Sequence, residues 1–422
     1  MTARGHRGEP AAVVMCGGGF GAYDIVRTLG LAEIGSAVFA SHAEDVAFRS
    51  RYVRHALLLP EFRERNFAEI LDRVGAYGAA CPERPVLFYA GDSEILFVSR
   101  HREALNRWYR FTLPPQPILS SVTSKARFVD LARQAALPVP PTRVFADAAE
   151  LESAIATLKL PCIVKPAYNQ DWFWETEALR ARFGEYKDAL RRFDRFGELR
   201  EFCAGLPHRR SGFVVQSYIE GRDERLASFH AYLDERSRCL GYFLTRVIRT
   251  NPPHTGDATC CETFHDEALT RLSLECLARI GYRGIVKIDY KWDASAQAYR
   301  MLEIEPHYQT AHLLGACAGV NLASIAFRHA RGKPAEGPVR YAAGVRLLEL
   351  REDLKAYWRG YRKTREWTGL RYLGSLLGRN HHRLYDPRDP GPFLYFCLRH
   401  LLRKLQGALR ASQRILPHGR AS

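Results

Sequence analysis

The stretch from residue 284 to residue 307 constrains the fold of this chain more than any other. Two short apolar runs, residues 285–288 and 299–304, flank a polar turn at 292–297, and this pattern predicts a β-hairpin. Side chains alternate between the two faces of a strand. We therefore expect the first strand to carry Lys287, Asp289 and Lys291 on one face, and the second to carry Met301, Glu303 and Glu305 on one face.

If the two strands pair through the short turn, the carboxylates of Asp289, Glu303 and Glu305 converge. Three carboxylates at one spot repel one another unless a positive charge lies between them. Hard oxygen ligands suit Mg²⁺, which binds nucleotide phosphates through a few carboxylates. Taken alone, the pattern fits an exposed, solvated hairpin with a charged face equally well.

The acidic motif resembles the metal-binding end of the ATP-grasp superfamily, where an Asp precedes a Glu-x-Asn-Pro segment followed by Arg or a similar residue. Here Asp289 precedes the segment Glu303-Ile304-Glu305-Pro306-His307, with Glu305 in place of Asn and His307 in place of Arg. The resemblance implies that Asp289, Glu303 and Glu305 bind Mg²⁺. The extra charge of Glu305 either tightens Mg²⁺, shifts the preference toward Mn²⁺, or marks a degenerate site.

Two lysines match the phosphate-binding residues of that superfamily. Within residues 120–137, helical spacing predicts a helix that Thr123 or Ser124 caps, and a Leu-Pro-x-Pro turn follows it. A strand at 162–166 then carries a Val-Lys-Pro motif. The resemblance implies that Lys125 and Lys165 neutralise the triphosphate of ATP. The plain alternative for Lys125 is a lysine on the surface of a helix.

Residues 213–221 read as a strand that enters a turn, and they resemble the interdomain hinge that grips adenine through backbone groups. The resemblance implies four adenine contacts and two candidates for the ribose hydroxyls: Gln216, Ser217, Tyr218 and Ile219 for the base, and Asp223 and Glu224 for the ribose. Tyr218 and Ile219 are also compatible with core positions where only the backbone matters. The preceding region, 167–210, corresponds to a loop over the phosphates, with Asn169 and Lys187 as candidate contacts.

Residues 245–264 resemble a segment of ATP-grasp carboxylate–amine ligases in which a basic strand leads into a proline pair and a glycine turn. The resemblance implies catalytic roles for three cations. Arg246 and Arg249 would lie near the phosphates or the acceptor, and arginine suits bidentate contact with such groups. Lys287 would stabilise a tetrahedral intermediate.

The first 119 residues alternate strands and helices, which predicts a small parallel sheet. The first strand enters a glycine-rich turn at 17–21, and a later strand runs into residues 91–94. Because ligands bind at the carboxyl ends of parallel strands, we expect these two loops on one rim. The glycine spacing departs from the dinucleotide pattern, and an oxidoreductase built on this loop would explain nothing after residue 120.

The length of 422 residues predicts two to three domains. The resemblance implies an α/β fold class with α+β lobes, the ATP-grasp fold. Its predicted parts are a pre-grasp parallel-sheet domain at 1–119, an ATP-grasp domain at 120–335 and a basic helical C-terminal extension at 336–422. Within the grasp domain, the small lobe spans about 140–215 and the large lobe about 216–335.

The net charge of +16 is concentrated in the last fifth of the chain, where residues 340–422 hold 18 basic and 6 acidic side chains. Residues 393–406 form an amphipathic pattern that suits an anionic membrane surface, a partner or self-docking helix, or a helix packed on the catalytic body with arginine outward. No nucleic-acid-binding module accompanies the charge, so we expect no nucleic-acid partner. Ten cysteines without CxxC spacing indicate reduced thiols and a cytoplasmic location, with a peripheral membrane contact through 393–406 as one option.

The resemblance implies an enzyme that uses ATP and Mg²⁺ to activate a carboxylate as an acylphosphate, which an amine or similar nucleophile then attacks, with release of ADP and phosphate. Its partners would be small-molecule carboxylate and amine substrates, and homodimers are common among such ligases. The alternative is a catalytically silent ATP-binding scaffold attached to a membrane or partner through the basic tail.

Overall fold

The computed structural model describes residues 11–167, 177, 181–182, 192–206, 212–333, 340–378 and 380–415, with side chains to residue 406. Within these residues the strands are β1 (Ala12–Cys16), β2 (Ser36–Ala40), β3 (Val53–Leu58), β4 (Val86–Tyr89), β5 (Thr142–Phe145), β6 (Cys162–Pro166), β7 (Arg192–Phe193), β8 (Phe213–Ser217), β9 (Leu226–Leu233), β10 (Cys239–Asn251), β11 (Asp257–Phe264), β12 (Gly284–Asp293), β13 (Ala298–Glu305), β14 (Arg346–Leu348) and β15 (Asn380–His382).

The α-helices of the same residues are α1 (Gly21–Gly30), α2 (Phe67–Ala80), α3 (Asp92–Arg100), α4 (Arg102–Leu105), α5 (Gln116–Val122), α6 (Lys125–Gln134), α7 (Ala148–Ala154), α8 (Phe196–Ala204), α9 (Glu267–Arg279), α10 (Ala311–Ala318), α11 (Leu322–Ala330), α12 (Leu350–Ala356), α13 (Gly369–Leu376) and α14 (Pro390–Ile415).

A four-stranded parallel sheet of order β3-β2-β1-β4 forms near the N-terminus, as the alternation of strands and helices predicts. All residues of β1 and β2 are buried, which is typical of a parallel sheet covered on both faces. Helix α1 begins at Gly21, where a Cβ atom would lie 2.8 Å from the Cβ of Ala90. Glycine therefore lets the start of α1 approach the end of β4.

A second sheet of four strands, in the order β5-β8-β6-β7, is antiparallel and packs with α7 and α8 around its own core. In its register Ile163 of β6 is opposite Gln216 of β8, and Lys165 is opposite Val214. The strand that carries the predicted phosphate lysine therefore lies beside the strand that carries the predicted hinge.

The largest sheet has seven strands in the order β13-β12-β9-β10-β11-β14-β15. On one face, Val286, Ile288 and Tyr290 of β12 pack with Leu269 and Leu277 of α9. The other face contributes Tyr232, Phe243 and Ile285 to the core that also contains the N-terminal parallel sheet. The hairpin of β12 and β13 therefore lies at the edge of this sheet. It is beside the parallel sheet β3-β2-β1-β4 and its helices, which we call the N-terminal unit.

The C-terminal segment is not purely helical, contrary to the sequence prediction, because β14 and β15 extend the large sheet. It is tied to the N-terminal unit by buried charges. Arg27 of α1 lies 3.0 Å from Asp386, and Arg383 lies 2.7 Å from Asp24. These ion pairs hold the last part of the described chain against its first helix.

Helix α14 also contacts the N-terminal unit, but not with its arginines outward. The Phe396 ring packs against Phe20 at a centroid distance of 5.7 Å, and Arg399 forms an ion pair with Glu44. The helix therefore packs on the body of the protein, as one of the three predicted arrangements has it. The expectation that its arginines point outward is wrong at Arg399, because this guanidinium group pairs with a carboxylate of the body.

No single helix among the described residues is long and apolar enough to cross a membrane. Helices α10 and α11 together have the required length and composition, but they are bent by 88° at the break between them. Several of their side chains belong to the core: His312, Leu313, Leu314, Leu322, Ala323, Ala326 and Phe327.

Candidate active site

The register of the β12–β13 hairpin determines which side chains face the candidate site. Lys287 pairs with Glu305, and Asp289 pairs with Glu303. Between Glu303 and Met301 the register shifts by one residue, so Leu302 is an extra residue of β13. The shift places Met301 opposite Tyr290, where it is fully buried in the core. The expectation that Met301 shares a face with the two glutamates is therefore wrong.

The three carboxylates converge, as the pairing of the strands predicts. One carboxylate oxygen from each of Asp289, Glu303 and Glu305 lies within 4.8 Å of the others. The hydroxyl of Ser228 on β9 donates a hydrogen bond of 2.5 Å to Asp289, which fixes the orientation of that carboxylate. A cluster of hard oxygen donors at the edge of a rigid sheet fits a divalent cation such as Mg²⁺.

Lys287 lies among these carboxylates. Its Nζ atom is 2.8 Å from Asp289 Oδ2 and 2.7 Å from Glu305 Oε2. Burial alone would lower the pKa of Lys287, but these two carboxylates hold it well above the ordinary lysine value. Burial raises the pKa of Glu305, while Lys287 opposes that shift. The ammonium group thus supplies positive charge that offsets the repulsion within the cluster.

Two further lysines face the same cluster from the other side of a cleft. Ser124 caps α6, so Lys125 is the first residue of that helix, and its Nζ atom lies 3.9 Å from Glu303 Oε2. Lys165 of β6 is 9% exposed and donates a hydrogen bond of 3.2 Å to Gln216 Oε1. Burial lowers the pKa of Lys165 to about 8. Burial alone would raise the pKa of Glu303, but Lys125 and Lys165 lower it.

The cleft between α6, the small sheet and the hairpin has two adjoining parts that share Lys125. The first is lined by Asp92, Val122, Thr123, Lys125, Phe128, Leu302, Glu303, Ile304, Glu305 and Pro306. The second is lined by Lys125, Phe128, Val129, Val139, Thr142, Lys165, Val214, Gln216 and Leu302. The lysine on α6 is therefore a cleft residue rather than an ordinary surface lysine. The extra residue of β13, Leu302, lines both parts.

The predicted adenine hinge follows directly from β8. The Tyr218 amide donates to the carbonyl of Pro161 at 2.9 Å and so extends the small sheet instead of facing a ligand. Its ring lies 4.7 Å from Lys291 Nζ. The Ser217 amide also donates within the protein, to Pro141 at 2.9 Å. Of the four predicted base contacts, Gln216 has its side chain in the cleft, and Ile219 is buried.

The two candidates for the ribose differ in their surroundings. Asp223 is 2% exposed and accepts hydrogen bonds from Tyr361 and from Thr250, the latter at 3.2 Å. His254 Nδ1 lies 3.2 Å from the same carboxylate. Asp223 therefore joins the hinge to the C-terminal segment and does not suit a ribose contact, whereas Glu224 is exposed and stays a candidate.

Arg246 is on the wrong face of the large sheet for the predicted catalytic role. Asp289 pairs with Ser228, and Ser228 pairs with Thr245, so these three share a face. The next residue, Arg246, points to the opposite face, where its Nε atom donates a hydrogen bond of 2.7 Å to Glu262. The structure thus separates Arg246 from the carboxylate cluster.

Arg249 is fully buried and has a structural environment. It makes two parallel hydrogen bonds to the carboxylate of Asp353, at 2.8 and 2.9 Å, and a third of 2.9 Å to Ser375. Its guanidinium group also lies 4.5 Å from the Trp367 ring and 5.0 Å from the Tyr372 ring. The predicted contact of Arg249 with phosphate or acceptor is therefore wrong, since its donors are committed to the C-terminal segment.

Sequence reasoning missed the contacts between the hairpin and the N-terminal rim. His307 Nε2 lies 3.5 Å from Asp92 Oδ1 at the start of α3. The amide of Gly17 donates to the buried carboxylate of Glu94, so the two predicted loops do lie together. The position of Asp92 after β4 signalled a rim residue, but no local signal linked it to His307. Asn169 and Lys187 lie outside the described residues.

Comparisons with known proteins give one relative by sequence and several by structure. No protein-family model matches the chain. The D-aspartate ligase of Enterococcus faecium (strain Aus0004) is 23% identical over 326 residues, which cover 74% of each chain. By structure, the chain resembles the L-amino acid ligase of Bacillus licheniformis, with a TM-score of 0.56, 15% identity and coverage of 76% of this chain and 73% of that one.

A second structural neighbour is the N5-carboxyaminoimidazole synthetase of Staphylococcus aureus. Its TM-score is 0.61 at 13% identity, with coverage of 85% of this chain and 87% of that one. The TM-scores establish a shared architecture despite the low sequence identities, and this architecture confirms the predicted fold class.

Proposed function

We propose that this chain, which has the ATP-grasp fold, is an ATP-dependent ligase that joins a carboxylate to an amine and releases ADP and phosphate. The observation that carries the proposal is the cleft in which Lys125 and Lys165 face the carboxylates of Asp289, Glu303 and Glu305. Two of the named relatives, a D-aspartate ligase and an L-amino acid ligase, support it.

The charges of the cleft suit a nucleotide triphosphate held together with a metal ion. Lys125 and Lys165 would neutralise phosphate oxygens, since compact ammonium groups bind phosphate as point charges. Asp289, Glu303 and Glu305 would hold Mg²⁺, which when bound neutralises charge on the phosphates as the phosphoryl group is transferred. Mn²⁺ accepts the same oxygen ligands, and we propose that it substitutes for Mg²⁺ in this site.

The residues of the chain contribute mainly position and electrostatics. Lys165, held by Gln216, would fix the end of the triphosphate. A substrate carboxylate placed in line with the terminal phosphate would then form an acylphosphate, and the amine would displace the phosphate. Lys287 would offset negative charge that develops at the reacting carbon, because its ammonium group lies within the carboxylate cluster.

We propose that the carboxylate substrate is an amino acid. The names of two relatives support this class. The rim formed by Asp92, Gly17 and His307 adjoins the carboxylate cluster and offers both a carboxylate and an imidazole. These groups have the chemistry to bind the ammonium and carboxylate groups of an amino acid.

The test is ADP release from ATP and Mg²⁺, with D-aspartate and other amino acids supplied together with pooled amines. Glu303→Gln removes a central charge of the cluster, and Glu69→Gln, at an exposed position of α2, serves as the matched control. We expect turnover that requires one acid and one amine, persists in the control and falls at least a hundredfold in Glu303→Gln. Equal turnover in the two variants would contradict the proposal.

A second candidate, a scaffold that binds ATP without turnover, is favoured by the position of Lys287. An ammonium group within 2.8 Å of two carboxylates competes with a metal ion for the same oxygens. The scaffold predicts that ATP binds without ADP release in every pool and that Mg²⁺ leaves its affinity unchanged. ATP affinity that rises with Mg²⁺ in the parent protein, but not in Glu303→Gln, would exclude it.

A further inference from the structure

Helix α14 is bound to the N-terminal unit by its aromatic and basic side. Besides Phe396 on Phe20, the guanidinium group of Arg49 lies 4.7 Å from the Tyr395 ring. Arg399 also donates a hydrogen bond of 3.2 Å to the backbone carbonyl of Glu44. One side of the helix is therefore fully accounted for by contacts within the chain.

The opposite side of α14 carries five leucines that remain about half exposed. We call them the leucine stripe: Leu394 (61%), Leu398 (55%), Leu401 (54%), Leu402 (48%) and Leu405 (52%). Their spacing of i, i+4, i+7, i+8 and i+11 places them within about a third of the helix circumference, since each residue turns the helix by about 100°. An amphipathic helix normally buries such a stripe against the protein; here it faces outward.

A second group of exposed leucines occurs in the same C-terminal segment. On and just after α13, Leu370, Leu373 and Leu377 are 86%, 60% and 75% exposed, at i, i+3 and i+7. The C-terminal segment therefore presents leucine on two helices, which indicates that the exposure is a property of this part of the protein and not of one helix end.

The charges around the stripe distinguish between the surfaces that could cover it. From residue 390 to residue 415 the sequence contains five basic residues and no acidic residue. Helices that pair as coiled coils usually carry charges of both signs beside the apolar seam. Two copies of α14 would instead bring like charges together. An anionic lipid surface offers the opposite charge and an apolar layer beneath it.

We propose that the outward side of α14 lies on an anionic phospholipid membrane, with the leucine stripe at the boundary between headgroups and acyl chains. Lys404, which is exposed beside the stripe, would contact the headgroups, whereas Arg403 pairs with Glu44 on the side of the helix that faces the body. The contacts of Phe396 and Arg399 hold the helix so that the stripe points away from the body. The protein would then bind the membrane without unfolding any of its cores.

The experiment measures binding of the full chain to vesicles of phosphatidylglycerol and phosphatidylcholine, and to vesicles of phosphatidylcholine alone, by co-sedimentation. The test variant is Leu398→Ser/Leu405→Ser. The matched control is Leu58→Ser/Val144→Ser. It changes two exposed apolar side chains far from α14 in the fold, one on β3 of the parallel sheet and one on β5 of the small antiparallel sheet. Since all four side chains are exposed, thermal unfolding of both variants should stay within a few degrees of the parent.

We expect the parent and the control to bind the anionic vesicles, with at least tenfold weaker binding to phosphatidylcholine alone and a clear loss at 0.5 M salt (roughly a 4 Å screening length). The test variant should bind the anionic vesicles at least tenfold more weakly than the control. Equal binding by the two variants, or no binding by the parent, would overturn the proposal. A parent dimer in solution that the test variant converts to monomer would also overturn it, because a second copy would then cover the stripe.

Discussion

The buried pair of Arg249 and Asp353 gives the sharpest stability prediction for this fold. Both side chains are fully buried, and two parallel hydrogen bonds of 2.8 and 2.9 Å join them. Thr259 donates a third hydrogen bond, of 2.8 Å, to Asp353. The substitution Asp353→Ala removes the carboxylate and leaves the guanidinium group of Arg249 buried without its countercharge.

The size of the loss follows from that desolvated charge. Removal of one partner from a buried ion pair costs about 3 to 5 kcal/mol of unfolding free energy, because the remaining charge stays uncompensated. The matched control is Glu69→Ala, which breaks the exposed pair of Glu69 and Arg73 on α2. An exposed pair of this kind contributes at most about 0.5 kcal/mol. The two variants should therefore differ by several kcal/mol.

A double variant separates the structural role of Arg249 from a catalytic one. Arg249→Met/Asp353→Leu replaces both charges with apolar side chains, and such replacements of a buried pair are often neutral or stabilising. We expect this double variant to recover most of the stability that Asp353→Ala loses. Its ATP affinity should stay within twofold of the parent, because Arg249 lies outside the cleft.

The assay is urea unfolding followed by tryptophan fluorescence, since the Trp367 ring lies 4.5 Å from the guanidinium group of Arg249. Calorimetry on the same variants measures ATP binding. A loss below about 1 kcal/mol in Asp353→Ala would show that the pair does not stabilise the fold as the buried-charge argument requires. If the double variant is stable but binds ATP tenfold more weakly, Arg249 contributes to nucleotide binding and its assignment to a structural role is wrong.

Four further predictions concern the cleft. Lys165→Met should weaken ATP binding by about tenfold to a hundredfold, the worth of one charge-assisted contact, whereas the exposed control Lys159→Met should leave it unchanged in calorimetry. Burial lowers the pKa of Lys165 from 10.5 to about 8, so the free protein loses this proton as the pH rises above 8 and ATP must restore it. ATP affinity should then fall by up to about tenfold per pH unit above 8, with proton uptake detectable in buffers of different ionisation enthalpy, and Lys165→Met should show neither effect. In the absence of nucleotide, Lys287→Met should bind Mn²⁺ at least tenfold more tightly than the parent, because the substitution removes a cation that competes for the carboxylates. Electron paramagnetic resonance measures this affinity, and an unchanged value would mean that Lys287 does not compete with the metal ion. Arg246→Ala should alter ATP affinity less than twofold, and a larger change would contradict its assignment to the opposite face of the sheet.

The sequence was sufficient for the features that depend on local pairing. The hairpin needs one short turn and a period of two, so the convergence of Asp289, Glu303 and Glu305 could be predicted from spacing alone. The cap of α6 at Ser124 likewise follows from the residues next to it, and it places Lys125 at the start of the helix.

Features that depend on distant partners could not be predicted in this way. The partner of Arg249 is 104 residues away in the sequence, and Tyr361 is 138 residues from Asp223. Both arginine and aspartate are ordinary ligand-binding residues, so without these partners a functional interpretation was natural. The register shift at Leu302 could not be predicted for a different reason. The alternation of β13 is regular in the sequence, and only the pairing of β13 with β12 shows that Leu302 is an extra residue.

The ion pair between Arg27 and Asp386 has a consequence for the co-translational folding of the protein. Arg27 and Asp386 are 359 residues apart in the sequence. Because ribosomes add about 5 to 20 residues per second, Asp386 is synthesised roughly 20 to 70 seconds after Arg27. During that interval the guanidinium group of Arg27 has no countercharge and cannot be buried at low cost. The parallel sheet and its first helix therefore reach their native packing only after residue 386 has been translated.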